Sequence, residues 1–273
     1  MMTPMCGRYA STKAPDVLAA EFDAVDATAA EVSGTGRPVA DYNVAPMKPV
    51  LGVVQRHPHD ADGHRDPART ERTIRVMRWG LVPKWAKDPA VGNRMINARS
   101  ETVMSKPAFR GPIKYARCLL PADGWYEWKR ETAPKQPYFM TFGDGSSLAL
   151  AGIWATWRDP EADDAARPLV SCAVLTTEAV GPLLEVHERM PMVLPASAWQ
   201  HWLDPDVRDV SALLGSPPPG LLERLELRPV SRAVNNVRNN GAALVERVAE
   251  EGQSGRRQPV GWNREPGEPS AEV

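Results

Sequence analysis

Cys6 follows an internal methionine in the stretch MCGRYA (5–10). If the functional chain begins at Cys6, its α-amino group and thiol lie on adjacent carbons, a pair that no internal cysteine offers. An α-amino group has a pKa of about 7.7–8.0, so a fraction of it is neutral and nucleophilic near pH 7. Such an amine condenses with an aldehyde, and sulfur can then close a five-membered thiazolidine in a favoured intramolecular step. The alternative interpretation is that Cys6 is an ordinary buried cysteine.

Glu127 is the second residue suited to chemistry, within GWYEW (124–128). Alternation along a strand puts Trp125 on the same face as Glu127, with Tyr126 and Trp128 on the opposite face. An aromatic neighbour on that face would desolvate the carboxylate and raise its pKa toward the range useful for proton transfer. The alternative is a half-exposed surface glutamate.

Asn97 and His187 complete the candidate catalytic set, in MINARSET (95–102) and VHERMP (186–191). An imidazole has an ordinary pKa of about 6.5, which suits proton transfer near neutrality. The asparagine does not titrate, but its amide both donates and accepts hydrogen bonds. A structural histidine and a turn asparagine are the respective alternatives.

The charge distribution indicates a local basic segment on a nearly neutral protein. The net charge is −1, which argues against a protein coated in positive charge for nucleic acid. The segment 73–117 nevertheless holds ten Lys or Arg against two acids, Asp88 and Glu101. This pattern fits a groove that follows phosphates, and a solvated surface is the alternative.

Six motifs in order carry a family resemblance: MCGRYA, DYNVAP (41–46), RWGLVPKW (78–85), MINARSET, RCLLPADGWYEW (117–128) and VHERMP. Together they resemble the SRAP family, the SOS response-associated peptidase-like proteins, over roughly residues 5–235. The resemblance implies binding to single-stranded DNA and covalent capture of abasic sites through an N-terminal cysteine. By motif, Cys6 is the crosslinking residue, Asn97 lies beside it, Glu127 is the acid–base glutamate and His187 is the active-site histidine.

Recognition of DNA is expected from residues on or beside these motifs. Arginine guanidinium groups suit phosphate, and tryptophans can stack bases, although core packing explains either tryptophan equally well. The candidate DNA-binding residues are Arg8, Asn43, Pro46, Trp79, Trp85, Arg99, Arg110 and Arg189. We expect abasic single-stranded DNA as the partner, a monomer, a cytoplasmic location with nucleoid association when DNA is bound, and no metal, cofactor or membrane.

Two other functions fit the same residues. An N-terminal-nucleophile amidase or peptidase would use the amine of Cys6 as the base for its own thiol and release its product. A non-covalent reader of modified or single-stranded DNA would keep its function after Cys6→Ala. Abasic-site crosslinking is preferred because it alone uses both groups of an N-terminal cysteine.

The segments that must position these residues read mostly as short strands, with few helices between them. This pattern predicts an α+β protein of one domain, built on a curled, mainly antiparallel, barrel-like sheet with a few flanking helices. Residues 1–5 are interpreted as a leader or a mis-assigned start, 6–250 as the domain and 251–273 as a disordered tail. With three cysteines and no export signal, we expect no disulfide framework. Predicted strands cover 49–54, 73–79, 116–121, 124–129, 137–142, 148–154 and 169–177. Predicted helices cover 14–22, 178–187, 196–203 and 241–250.

Overall fold

Short apolar and β-branched segments bounded by Gly, Pro or Asp form most of the regular structure. A computed structural model describes residues 6–31, 39–60, 62–129, 134–163 and 166–249. The strands are β1 (Tyr9–Ser11), β2 (Val25–Asp26), β3 (Asp41–Val44), β4 (Pro49–Arg56), β5 (Glu71–Trp79), β6 (Asn97–Arg99), β7 (Arg117–Ala122), β8 (Gly124–Trp128), β9 (Pro137–Phe142), β10 (Leu148–Trp157), β11 (Leu169–Glu178), β12 (Arg189–Pro191) and β13 (Leu225–Pro229).

Helices are short. The α-helices are α1 (Pro15–Glu21), α2 (Pro112–Tyr115), α3 (Ala196–Leu203) and α4 (Pro219–Leu222). Short 3-10 helices cover Thr28–Glu31, Pro89–Arg94, Gly181–Glu185, Ser211–Leu213, Arg232–Asn235 and Ala242–Leu244. In the parts of the chain that are described, no helix has the length and apolar character needed to cross a membrane.

Two sheets build the fold. The larger runs β12-β11-β10-β7-β4-β5-β2, and β5 also pairs in parallel with β11, so the strands from β11 to β5 close into a ring. The smaller sheet runs β13-β9-β8-β1-β3. Most pairings are antiparallel, which confirms the predicted α+β class with a curled, mainly antiparallel sheet.

One apolar cluster joins the two sheets. Tyr9 and Trp125 of the smaller sheet belong to the same buried cluster as Leu120 and Cys172 of the ring. Tyr9 also lies against Trp79, with ring centroids 5.2 Å apart. The smaller sheet is therefore packed on the ring, and the start of β1 lies where the two sheets meet.

Two helix predictions are wrong. The predicted helix 178–187 begins inside β11, which continues to Glu178, and only the 3-10 turn Gly181–Glu185 follows. Gly181 has φ = 55°, a left-handed conformation that interrupts a right-handed helix at its start. The predicted helix 241–250 is one 3-10 turn, Ala242–Leu244, followed by an isolated bridge between Arg247 and Val230. The predicted leader and tail lie outside the described residues.

Candidate active site

The Cys6 nitrogen and the Glu127 carboxylate meet at the junction of β1 and β8. These strands pair in antiparallel register, Tyr9 opposite Trp125, so residues just before β1 approach the end of β8. The Cys6 nitrogen donates a hydrogen bond to Oε2 of Glu127 at 3.0 Å, across 121 positions of sequence. Both residues are buried, with 4% and 5% of their surface exposed. The contact is therefore a shielded pairing of a nitrogen with a carboxylate.

The faces of β8 follow the predicted alternation. Trp125 belongs to the cluster between the sheets, whereas Tyr126 and Trp128 belong to a separate cluster on the other side. Oε1 of Glu127 also accepts a hydrogen bond from the backbone nitrogen of Trp128 at 3.3 Å. Glu127 is thus held on a strand between two aromatic layers.

The Cys6 thiol is held in its neutral form. Burial raises its pKa well above the ordinary value, and the neighbouring Glu127 carboxylate raises it further, while the charge of Arg189 opposes both. A thiol with a raised pKa is mostly protonated near neutrality, and the thiolate is the more reactive nucleophile. Cys6 also has φ = 46°, a conformation uncommon for a residue other than glycine.

Asn97 and Arg189 lie on two strands that flank β11. β6 pairs in parallel with β11, placing Asn97 opposite Val174, and β12 pairs on the other edge, placing Arg189 opposite Glu178. Because Arg189 influences the pKa of Cys6, its guanidinium lies within electrostatic range of that thiol. Strand pairing therefore brings two distant motifs, MINARSET and VHERMP, to the C-terminal half of β11.

His187 is buried directly before β12. Its Nδ1 accepts a hydrogen bond from the backbone nitrogen of Arg189 at 3.0 Å. An Nδ1 that accepts carries no proton, so the neutral ring carries its proton on Nε2. This arrangement leaves Nε2 as the atom that donates.

Glu101 is a charged partner that the sequence analysis did not single out. Its two carboxylate oxygens accept from Nη1 and Nη2 of Arg189 at 2.6 and 2.9 Å, and Nη2 also donates to the Thr176 carbonyl. Hydrogen bonding to Arg189 is the largest cause that lowers the pKa of Glu101. The only sequence signal was its position as one of two acids in a basic segment.

Arg8 and Asn43 organise a neighbouring loop. Nη1 of Arg8 donates to Oδ1 of Asn43 at 2.7 Å and to the Val234 carbonyl at 2.8 Å. Asn43 is fully buried and its amide nitrogen donates to the carbonyls of Val234, Asn236 and Asn239. These bonds give both residues a structural task in holding the segment 234–239 against β3.

Trp128 and Asn235 extend that surface, and neither is among the predicted site residues. Nε1 of Trp128 donates to Oδ1 of Asn235 at 2.7 Å, and the Arg8 guanidinium lies over the Trp128 ring at 5.9 Å. Asn235 belongs to the asparagine-rich stretch VNNVRNN (234–240).

The remaining predicted DNA-binding residues occupy different environments. Trp79 is 1% exposed and its indole donates to the Ile96 carbonyl, a position that fits the core-packing alternative. Trp85, by contrast, is 62% exposed. Arg99 and Arg110 are exposed and Pro46 is half-buried.

The basic segment is largely solvent-facing. Arg78 donates to the Pro89 carbonyl, and Arg117 is buried among backbone carbonyls, so these two have structural partners. The exposed members of the segment are Lys84, Lys87, Arg94, Arg99, Lys106, Arg110 and Lys114.

One group of potential metal ligands occurs among the described residues. Asp60, Asp62 and His64 offer ligand atoms within 4.8 Å of one another, and all three are exposed on the loop between β4 and β5. Exposed carboxylates in a polar loop commonly form such a group without an ion. None of these residues belongs to the motifs.

The family model and the similar proteins all point to one family. The model of the family described as SOS response associated peptidase (SRAP) matches residues 5–237. "Abasic site processing protein YoqW" of Bacillus subtilis is 34% identical over 243 residues, covering 89% of this chain and 99% of that protein. "Abasic site processing protein YedK" of Escherichia coli is 32% identical, covering 89% and 100%. "Abasic site processing protein HMCES" of Gallus gallus is 34% identical, covering 75% and 65%.

Solved structures share the fold. A protein from Bacteroides thetaiotaomicron superposes with a TM-score of 0.68 at 22% identity, over 89% of this chain and 100% of that one. A protein from Bordetella bronchiseptica superposes with a TM-score of 0.62 at 23% identity, over 83% and 100%. At these identities the likeness concerns the fold alone.

Proposed function

The chain belongs to the SOS response associated peptidase (SRAP) family, and from that premise we propose that it captures abasic sites in single-stranded DNA through Cys6. The observation that carries this proposal is the hydrogen bond between the Cys6 nitrogen and the Glu127 carboxylate in a buried site. A peptide nitrogen has no nucleophilic task there, whereas a free amine at the same position would be oriented beside a proton-transfer group.

The functional chain in this proposal starts at Cys6. Removal of the preceding residues, by self-processing or by an aminopeptidase, converts the amide into an amine next to Glu127. The left-handed φ of Cys6 requires a preceding residue, so the same cleavage removes that torsion and its conformational cost.

The reaction proceeds with nitrogen first and sulfur second. The amine attacks the open-chain aldehyde of the abasic sugar to give a carbinolamine, which loses water to give an imine. The thiol then adds to the imine carbon, and its proton passes to nitrogen, closing a thiazolidine. One water leaves, and one carbon–nitrogen and one carbon–sulfur bond form.

The raised pKa of the Cys6 thiol supports this order. A protonated thiol competes poorly for the aldehyde, but it carries the proton that the imine nitrogen takes up when the ring closes. Glu127 is suited to deliver a proton to the leaving hydroxyl of the carbinolamine, and Nε2–H of His187 to a second transfer. The exposed cations of the basic segment would hold the DNA backbone.

The test is intact-protein mass spectrometry before and after mixing with an abasic single-stranded oligonucleotide. The expected result is a starting mass without residues 1–5 and a covalent shift equal to the oligonucleotide minus one water. Cys6→Ala abolishes the adduct, while Cys6→Ser leaves at most a weaker one, because oxygen closes the ring less effectively.

Cys172→Ala is the matched control, since it removes a second buried thiol that lies on β11 and outside the six sequence motifs. Crosslinking by Cys6→Ala at the parent rate, or full activity of a chain that retains residues 1–5, contradicts the proposal. Release of a small product without a stable adduct would favour an amidase.

A further inference from the structure

A cavity lies at one part of the strand ring. It encloses about 260 Å³ where β4 ends at Arg56 and β7 begins at Arg117, beside Trp154 of β10. The Arg208 cavity, as we call it, is lined by Gln55, Arg56, His57, His59, Arg65, Tyr115, Arg117, Trp154, Leu203, Pro205 and Arg208. None of these residues belongs to the candidate active site or to the predicted DNA-binding set.

The lining is strongly positive. It contains four arginines and two histidines, and none of the lining residues is acidic. The nearby carboxylate of Asp206 accepts from Arg65 at 3.3 Å and lies 3.1 Å from Nε2 of His57. Asp204 lies close enough to Arg117 to raise its pKa. Arg65 and Arg117 therefore have carboxylate neighbours, whereas Arg208 has no ion pair among the described residues.

The charge of Arg117 is fixed in the wall. This residue is 5% exposed, and its guanidinium donates only to backbone carbonyls, those of Ile113, Lys114, Trp202, Asp204 and Val207. Burial lowers the pKa of Arg117, and the neighbouring charge of Arg208 lowers it further. Such mutual repulsion between cations is relieved when an anion enters between them.

His57 is also fixed in the cavity wall. Its Nδ1 lies 2.7 Å from the Arg69 carbonyl, and its Nε2 lies 3.1 Å from the Asp206 carboxylate. Both partners are oxygen acceptors, and they fix the orientation of the ring.

Arg208 provides uncommitted donors at the cavity. Its guanidinium lies 4.4 Å from the centre of the Tyr115 ring and donates no hydrogen bond within the described residues. Arg56 lies over the Trp154 ring at 5.2 Å. Stacking on an aromatic ring orients a guanidinium plane, and its N–H edges form the planar fork that matches phosphate oxygens.

From this arrangement we propose that the Arg208 cavity binds a phosphate group, held chiefly by Arg208, with Arg56 adding its positive charge at the cavity wall. The volume is below the ~300–1,000 Å³ of pockets for drug-sized ligands, which favours a ligand of phosphate size. The phosphate can be free in solution or at the end of a nucleic acid strand. The site is independent of Cys6 and of the abasic-site chemistry.

The direct test is a titration of the full chain with inorganic phosphate at constant ionic strength, followed by calorimetry and by the NMR signal of the Trp154 indole. The expected result is saturable binding that shifts this signal. Arg208→Gln and Arg56→Gln should each weaken binding about tenfold, as expected for the loss of a charge-assisted contact. Arg224→Gln is the matched control, because Arg224 also lies over an aromatic ring, that of Phe142 at 4.2 Å, outside the cavity.

Two results would overturn the proposal. One is phosphate binding of equal strength in the parent and in both cavity variants. The other is saturation without any change in the Trp154 signal, which would place the ion elsewhere.

The source of the phosphate is tested with short single strands that carry either a 5′-phosphate or a 5′-hydroxyl. Tighter binding of the phosphorylated strand to the parent, lost in Arg208→Gln, identifies a strand end as the ligand. Equal binding of both strands, together with saturable inorganic phosphate, identifies free phosphate. Abasic crosslinking should keep the parent rate in Arg208→Gln, so failure of one proposal leaves the other standing.

Discussion

The nitrogen of Cys6 and Oε2 of Glu127 lie 3.0 Å apart although 121 residues separate them in the chain. The contact exists because β1 pairs with β8, and this pairing sets the short segment before β1, which begins at Cys6, against the end of β8. A carboxylate in this position can act on the nitrogen directly, whereas its contribution to holding DNA would be repulsive.

Glu127→Gln is therefore expected to slow crosslinking without weakening DNA binding. Loss of one acid–base group typically slows a step by about 10²–10⁴-fold, while glutamine keeps the size and one acceptor oxygen. Single-turnover time courses with abasic DNA measure the rate, and titration with undamaged single-stranded DNA measures the affinity. An equal loss of rate and affinity would assign Glu127 a structural role.

His187→Ala is expected to change the pH dependence of crosslink formation or reversal. The imidazole keeps Nδ1 against the Arg189 nitrogen, so proton transfer in the proposed reaction uses Nε2. Rates are measured from pH 5 to 9, and His201→Ala, an exposed histidine on α3, is the control. A pH profile parallel to that of the parent would exclude His187 from proton transfer.

Local sequence patterns were sufficient for much of the framework. Helix α3 and strand β9 coincide with the predicted segments 196–203 and 137–142, and the two faces of β8 follow the predicted alternation. The short strands β6 and β12 were missed, because three residues carry too little periodicity and depend on pairing with β11. The bond between Arg189 and Glu101 likewise follows from that pairing and from no local pattern.

Asn43→Ala is expected to destabilise the fold. The substitution removes the donor shared by three carbonyls of the 234–239 segment and the acceptor of Arg8. Loss of a buried polar partner costs ~1–3 kcal/mol of unfolding free energy. Urea unfolding measures this, and Asn93→Ala at an exposed position should stay within ~0.5 kcal/mol of the parent. Parent-like stability with weakened DNA binding would instead make Asn43 a DNA contact.

Arg99→Ala is expected to weaken binding to single-stranded DNA and to reduce its salt dependence. Arg99 is exposed on β6 beside Asn97, where its charge is available to a phosphate. Loss of one phosphate contact should lower the slope of log K against log salt by about 0.7. Affinity is measured over a salt series with Arg224→Ala as control, and an unchanged slope would move the DNA path away from β6.

Glu101→Gln should strengthen binding to undamaged single-stranded DNA, because the carboxylate of Glu101 neutralises Arg189 in the parent. The two-point ion pair engages both terminal nitrogens of the guanidinium, so a phosphate that approaches Arg189 must compete with it. Glutamine keeps one acceptor for positioning but removes the competing charge. The salt slope should then rise by about 0.7, equivalent to one additional phosphate contact.

The pH dependence of binding provides an independent check on Glu101. Arg189 lowers the pKa of this carboxyl, so Glu101 is still ionised when the pH reaches the ordinary pKa of about 4.3. The ion pair is lost only as the pH falls further, through the lowered pKa. The affinities of parent and Glu101→Gln should therefore differ at neutral pH and converge only below the ordinary range. If Glu101→Gln instead binds DNA as weakly as Arg189→Ala at neutral pH, the carboxylate is required to position Arg189 for the DNA and does not compete with it.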